Sequence, residues 1–224
     1  MKQSISVTTD TGKRLCCGIA FYYFWKDTVL EKLKLYLVDM KYIRNLKNVE
    51  KQKTGRTNTI LSVSSQTHKQ GRPFVGIIQM INNMQYCIPL SSIEEKPKYS
   101  SMAENITFRK IKDDSGNIIG VLNINNMIPV KEEYITEFMI DELPTDNVRQ
   151  KEYKKKCKAE LDWCNNNINE INRLASELHT IICKNMPFKK KNICPDYAEL
   201  EKECAKGKSI SKRNQKKQIR RMRK

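Results

Sequence analysis

The side chains able to do chemistry collect around one stretch, Pro89-Leu90-Ser91-Ser92, and the lysines that follow it, Lys96 and Lys98. Hydroxyls and ammonium groups together suit the cutting of RNA without a metal. RNA carries its own nucleophile, the 2′-hydroxyl next to each phosphorus. A catalyst must supply a base for that hydroxyl, donors for the phosphoryl oxygens and an acid for the departing 5′-oxygen. Each acid–base contact is worth about 10²–10⁴-fold, and cations aimed at the developing charge add to it. Ser91, Ser92 and Lys96 supply donors and charge. Arg72 and His68 end the preceding polar loop. They reach the same place if the strand from Phe74 to Ile81 pairs with the strand from Gln85 to Leu90. DNA lacks the attacking hydroxyl and would bind without being cut. On spacing alone the same residues also read as ordinary loop chemistry and an ordinary surface histidine.

Other chemistries find no support. There is no Gly-rich phosphate loop, no Gly-x-Ser-x-Gly elbow and no His-Glu-x-x-His. Carboxylates are not grouped as a two-metal site needs. The eight cysteines contain no Cys-x-x-Cys, and neither His68 nor His179 has ligand-like spacing to them, so neither metal nor cofactor is expected. Reduced thiols in a cytoplasmic protein are the simplest reading. The 224 residues carry 42 basic and 25 acidic side chains, a net charge of +17. That surplus favours polyanions, nucleic acid first and an anionic membrane surface second.

The elements that would position these residues follow from periodicity. Residues 34–39 alternate as a strand, and Asp39 caps a short helix carrying Tyr42, Ile43, Leu46 and Val49. Residues 50–71 read as a long polar loop. Asn82-Asn83 marks a hairpin turn between the two strands named above. Strands follow at 106–111, 118–124 and 127–130, separated by the turn Asp113-Asp114-Ser115-Gly116-Asn117. From Tyr153 to Ile181 apolar residues step by three and four, one face of a single long helix entered after Asp146, with Lys154, Lys155, Lys156 and Lys158 on its polar side. A last helix from Pro195 turns Tyr197, Leu200 and Cys204 inward. Leu15 to Trp25 is apolar but too short to span a bilayer, and Lys26-Asp27 follows it without a cleavage site. It reads as a buried segment or a non-native extension. From Lys206 onward ten bases and no acid form a basic tail.

Several blocks carry a resemblance. They are residues 34–46 (Lys-Leu-Tyr-Leu-Val-Asp-Met-Lys-Tyr-Ile-Arg-Asn-Leu), Arg72-Pro73-Phe74-Val75-Gly76-Ile77, Tyr86-Cys87-Ile88-Pro89-Leu90-Ser91-Ser92, Lys96-Pro97-Lys98, and the run from Gly120 to Val130. Together, in this order and followed by the long helix, they resemble the ToxN/AbiQ/CptN family, the endoribonuclease toxins of type III toxin–antitoxin systems. The resemblance spans roughly Lys34 to Cys204. It implies an α+β fold, a compact and strongly bent antiparallel sheet like the Kid/MazF barrel, with a long C-terminal helix and shorter ones. It implies metal-independent cleavage at A-rich sites that leaves a 2′,3′-cyclic phosphate, acting on cellular or phage RNA in abortive infection. It also implies inhibition by a small pseudoknotted RNA antitoxin, cut by the toxin from a tandem-repeat transcript and held in a closed toxin–RNA ring.

By resemblance Ser91 and Ser92 match the paired hydroxyls, Lys96 the catalytic lysine, Arg72 the basic residue before the Phe-Val-Gly strand, and His68 a position where some members have Tyr. Ile93-Glu94-Glu95 intervene, so Lys96 and Lys98 both fit the lysine. Lys98, Lys41, Tyr42 and Arg44 are assigned to RNA binding. The chain then divides into an N-terminal extension (1–33), one toxin domain (34–205) and the basic tail (206–224). The competing readings are a non-catalytic basic RNA-binding protein and a DNA-binding phage or mobile-element protein.

Overall fold

The computed structural model describes residues 32–61, 75–94 and 97–207. The chain divides after Lys32, and from Leu33 on the described residues belong to one unit.

Seven strands pair antiparallel: β1 (Leu35–Val38), β2 (Val75–Ile81), β3 (Met84–Ser92), β4 (Arg109–Lys112), β5 (Ile118–Leu122), β6 (Ile128–Pro129) and β7 (Ile135–Glu137). Their order is β4-β5-β3-β2-β1-β7, with β6 also paired to β3. The pairing is centred on β3. One of its edges runs along β2 from Gly76↔Pro89 to Ile81↔Met84. The other changes partner, from β6 at Tyr86 and Cys87 to β5 at Leu90, Ser91 and Ser92. The sheet has two ends, β4 and β7, so it is open and not closed into a barrel. The β2–β3 turn has positive φ at both Asn82 and Asn83, 50° and 65°. A type I′ turn requires this, and asparagine tolerates it better than most residues.

Helices cover both faces. Tyr86 and Ile88 of β3, with Ile77 and Ile81 of β2, pack into one core with Cys157, Leu161 and Cys164 of α3 (Val148–Asn166) and Ile171, Leu174 and Leu178 of α4 (Ile168–Cys183). Cys87, Ile128 and Val38 face the other way, into a core with Tyr42, Ile43 and Leu46 of α1 (Met40–Thr54) and Leu200 and Cys204 of α5 (Tyr197–Ala205). Residues of β3 thus alternate between two apolar layers. Each fully buried aliphatic side chain adds roughly 1.5–3 kcal/mol. A four-residue helix, α2 (Lys98–Ser101), follows β3.

Two expectations are corrected. The long helix is two, divided at Asn167. The side-chain amides of Asn165 and Asn167 donate to the carbonyls of Leu161 and Trp163. Such local bonds compete with the helix ladder where asparagines cluster. The start is close to expectation, since Asn147 forms a capping box with Gln150. The polar loop also begins later than Glu50. Asp39 caps α1 as read, but the helix runs to Thr54 and ends on Gly55 at φ 73°. Glu50 is buried, accepting from the Thr54 and Thr59 hydroxyls and the Asp196 amide and pairing with Arg56 at 3.0 Å. α5 is capped by Asp196 and buries Tyr197, Leu200 and Cys204 as its spacing indicated.

Gly76 tests the central packing. A Cβ there would stand 2.5 Å from the Cys87 sulfur and 2.6 Å from the Ile88 carbonyl oxygen. Backbone cannot swing aside, so Gly76→Ala should lower unfolding free energy by roughly 1–3 kcal/mol, read as a lower urea midpoint.

Candidate active site

The end of β3 brings three functional groups together. Ser92 pairs with Gly120 of β5, and its side chain lies on the face of Tyr86, Ile88 and Leu90, toward α3. The Lys156 ammonium donates to the Ser92 hydroxyl at 3.0 Å and sits 3.8 Å from a Glu94 carboxylate oxygen. One helical turn further, Glu160 lies over Gly120. One of its carboxyl oxygens is 2.4 Å from where a Gly120 Cβ would be. Only glycine leaves that space open.

Glu160 is buried at 5% exposure. Burial pushes its carboxyl from the usual range near 4.5 up to about 7, against a smaller downward pull from Lys156. Among the described residues its carboxyl takes no hydrogen bond, whereas Glu50, also buried, has four partners.

Ser91 stands on the opposite face. Its hydroxyl accepts from the Asn123 side-chain amide at 2.9 Å, which also reaches the carbonyls of Pro89 and Val121. Three acceptors around one NH₂ fix the orientation of that amide, because the flipped form would set oxygen against oxygen. The two serines are therefore neighbours in sequence and separate in space. Ser92 meets Lys156 on the α3 side, and Ser91 ties the end of β3 to the turn after β5.

The remaining candidates are dispersed. Lys98 opens α2, with its ammonium 5.6 Å from the Tyr99 ring centre. That helix is seated on β4 by Tyr99 against Phe108, ring centres 4.7 Å apart, and by Lys110 donating to the Ser100 carbonyl. Lys41 and Arg44 are exposed on α1, which packs on the other face of the sheet from Ser92. Tyr42 does not join them. It is 5% exposed, stacked on Tyr134 at 3.8 Å, with its hydroxyl donating to the Pro129 carbonyl. A period of 3.6 turns position 42 inward when 41 and 44 face out. Lys96, Arg72 and His68 lie outside the described residues.

Sequence reasoning missed Lys156 as a specific partner and missed Glu160 entirely. Their signal is weak but real. They are four apart and each immediately precedes a member of the apolar stripe, Cys157 and Leu161. Such border positions lie where a helix meets the sheet it covers. Lys154 had looked equally solvent-facing. It is buried, paired with Asp146 at 2.7 Å and donating to the Asp141 carbonyl.

A second polar cluster is structural. His179 Nδ1 meets the Asn82 amide at 3.0 Å, and its Nε2 meets Glu201 at 2.8 Å, an oxygen that also accepts from the Tyr86 hydroxyl. With the Asn82 NH₂ donating, Nε2 carries the proton and cannot take one from Cys183, 3.5 Å away. Burial and neighbouring acids raise that thiol to about 11. No three His, Cys, Asp or Glu side chains converge as a metal site among the described residues, and no described helix is long and apolar enough to cross a membrane.

The fold is α+β, an open antiparallel sheet with helices on both faces and a hydroxyl–ammonium–carboxyl group at one strand end. Residues 34–205 match the family described as toxin ToxN of type III toxin–antitoxin systems, and the chain belongs to that family. It is 29% identical over 145 residues to the endoribonuclease ToxN of Bacillus thuringiensis subsp. kurstaki, covering 61% of this chain and 69% of that protein. Two solved structures share the fold. One is a bacterial type III toxin–antitoxin system with selective toxin inhibition by a non-coding RNA pseudoknot, at 21% identity and TM-score 0.59 over 79% of this chain and 98% of that one. The other is AbiQ, a lactococcal anti-phage endoribonuclease of the type III class, at 15% identity and TM-score 0.61 over 78% and 96%.

The raised Glu160 value sets a stability trend. Between about 4.5 and about 7 the native state holds a proton that the unfolded chain releases. Stability therefore falls as pH rises through that window, by on the order of 3 kcal/mol, and levels above it. Glu160→Gln should flatten this fall in urea melts run between about pH 5 and about pH 8. An undiminished fall in the variant would assign the proton elsewhere.

Proposed function

We propose that this chain is a sequence-preferring, metal-independent endoribonuclease toxin that cuts RNA by 2′-hydroxyl attack and leaves a 2′,3′-cyclic phosphate. The observation that carries this reading is the Lys156–Ser92 contact, 3.0 Å, at the end of a strand inside the family match. A phosphate at this edge receives the Ser92 hydroxyl and the Lys156 ammonium on its oxygens. As the 2′-oxygen bonds to phosphorus and the bond to the 5′-oxygen breaks, negative charge grows on those oxygens. Fixed donors stabilise it there without reorganising. In this proposal Lys98 adds charge from α2, and Lys96, Arg72 and His68, which lie outside the described residues, keep the catalytic roles that the family resemblance implies.

The partner is a small pseudoknotted RNA antitoxin, processed by the toxin from a repeat transcript and held with it in a closed ring. The substrates are cellular or phage RNAs in the cytoplasm. The named relatives support both halves of this reading, one as an endoribonuclease and one as a toxin inhibited by an RNA pseudoknot. Exposed bases on two helices, Lys41 and Arg44 on α1 and Lys155 and Lys158 on α3, supply phosphate contacts, as does the basic tail after Lys206.

Full-length protein should cut total bacterial RNA in excess EDTA. Ser92→Ala and Lys156→Ala should each lower the rate by about 10²-fold or more while RNA binding persists. Ser91→Ala, on the other face, should cost about 1 kcal/mol of stability and far less of the rate. RNA binding without cutting by the wild type would identify a non-catalytic RNA-binding protein instead.

A further inference from the structure

Two buried glutamates in this protein are treated in opposite ways. Glu50 is saturated by two hydroxyls, one backbone amide and Arg56, as a carboxylate buried for structure must be. Glu160 is also buried, though slightly less deeply, and among the described residues takes no hydrogen bond. A largely buried carboxyl with no hydrogen bond, its burial offset only by the nearby Lys156 charge, calls for a functional explanation. Its location provides one. Ser92 and Gly120 are cross-strand partners whose Cα–Cβ directions point to the same face, and α3 sets Lys156 over the first and Glu160 over the second. The missing side chain at Gly120 makes the room that the carboxyl fills.

We propose that Glu160 is the base that takes the 2′-hydroxyl proton, an assignment that rests on the endoribonuclease reading above. The Glu160 carboxylate removes the proton, the 2′-oxygen forms its bond to phosphorus, and the bond from phosphorus to the 5′-oxygen breaks. That oxygen takes the Ser92 hydroxyl proton as Ser92 takes one from the Lys156 ammonium. The products are a 2′,3′-cyclic phosphate and a 5′-hydroxyl. Proton return from Glu160 to Lys156 restores the starting state.

Base catalysis requires the ionised form, so the rate rises with pH around the carboxyl's value of about 7. The charged groups around it are few. Lys156 lies on its own helix, and Glu94 follows β3. On β4, Arg109 is held by Glu170 and Lys110 by the Ser100 carbonyl, with Lys112 exposed. β5 carries no titratable side chain. The Cys157 and Cys164 thiols are pushed up by burial, Cys157 to about 12, and stay neutral. Lys96 is outside the described residues.

The test is single-turnover cleavage of a 5′-labelled A-rich RNA oligonucleotide by the full-length chain across pH, with total bacterial RNA as a second substrate. Glu160→Gln should slow cleavage by about 10²-fold or more and remove the rising limb, while melting no lower than wild type at about pH 8. Gly120→Ala is the second variant. The atom in its way is the end of a flexible side chain, so the fold persists, the carboxyl is displaced, the rate falls and the limb moves toward ordinary carboxylate values. Glu160→Gln cutting at the wild-type rate with an unchanged limb, while Ser92→Ala fails to cut, would overturn this assignment and leave the endoribonuclease reading standing. A wild-type rate that falls through about 7 would make Glu160 an acid and also overturn it. A wild type that cuts neither RNA would overturn the endoribonuclease reading itself.

Discussion

A strand turns each successive side chain to the opposite face, and at the end of β3 this alternation decides what the site contains. Tyr86, Ile88 and Leu90 pack toward α3 and α4, and Ser92 continues their row. Cys87 packs toward α1 and α5, and Ser91 continues that row to Asn123. The strand's change of partner from β6 to β5 places Gly120 beside Ser92. α3 then brings Lys156 and Glu160 onto the same face. A register slip of one residue would exchange the two serines and dissolve the group.

The protein spends its buried charges unequally. Lys154 with Asp146 anchors the start of α3, and Glu50 with Arg56 folds the segment after α1 back on itself. Both are paired and hydrogen-bonded, which limits the cost of leaving water. Glu160 has no hydrogen bond among the described residues and only the Lys156 charge nearby, and ionising it costs stability. Stability given up at one residue for a poised carboxyl is a pattern expected of sites that move protons.

Much of the frame was legible in the sequence because it is written in periodicity and turn chemistry. The β2–β3 hairpin follows from β-branched runs around Asn82-Asn83, α1 from Asp39, and α5 from the spacing of Tyr197, Leu200 and Cys204. Apolar spacing of three and four also marks α3 and α4, but it persists across their junction and so hides it. The break lies in the side-chain bonds of Asn165 and Asn167, which periodicity does not register. The serine pair was found and its separation was not, because the strand was ended at Leu90. Carried two residues further, period two alone would have divided them. Lys156 and Glu160 stayed hidden because a helical pattern shows which face is buried and not which strand end it covers. Tyr42 was grouped with the surface bases Lys41 and Arg44 although its spacing with Ile43 and Leu46 already set it on the apolar face, and Tyr134 and Pro129, far along the chain, complete its burial.

The central claim is that the RNA's own 2′-hydroxyl is the nucleophile, with the groups at the end of β3 arranged around it. The most direct measurement uses an RNA cut by this protein and resynthesised with one 2′-deoxynucleotide immediately 5′ of the scissile phosphate. Binding should persist, cutting at that bond should vanish, and the unmodified RNA should end in a 2′,3′-cyclic phosphate. Cutting of the deoxy-substituted RNA at the same bond would contradict the account.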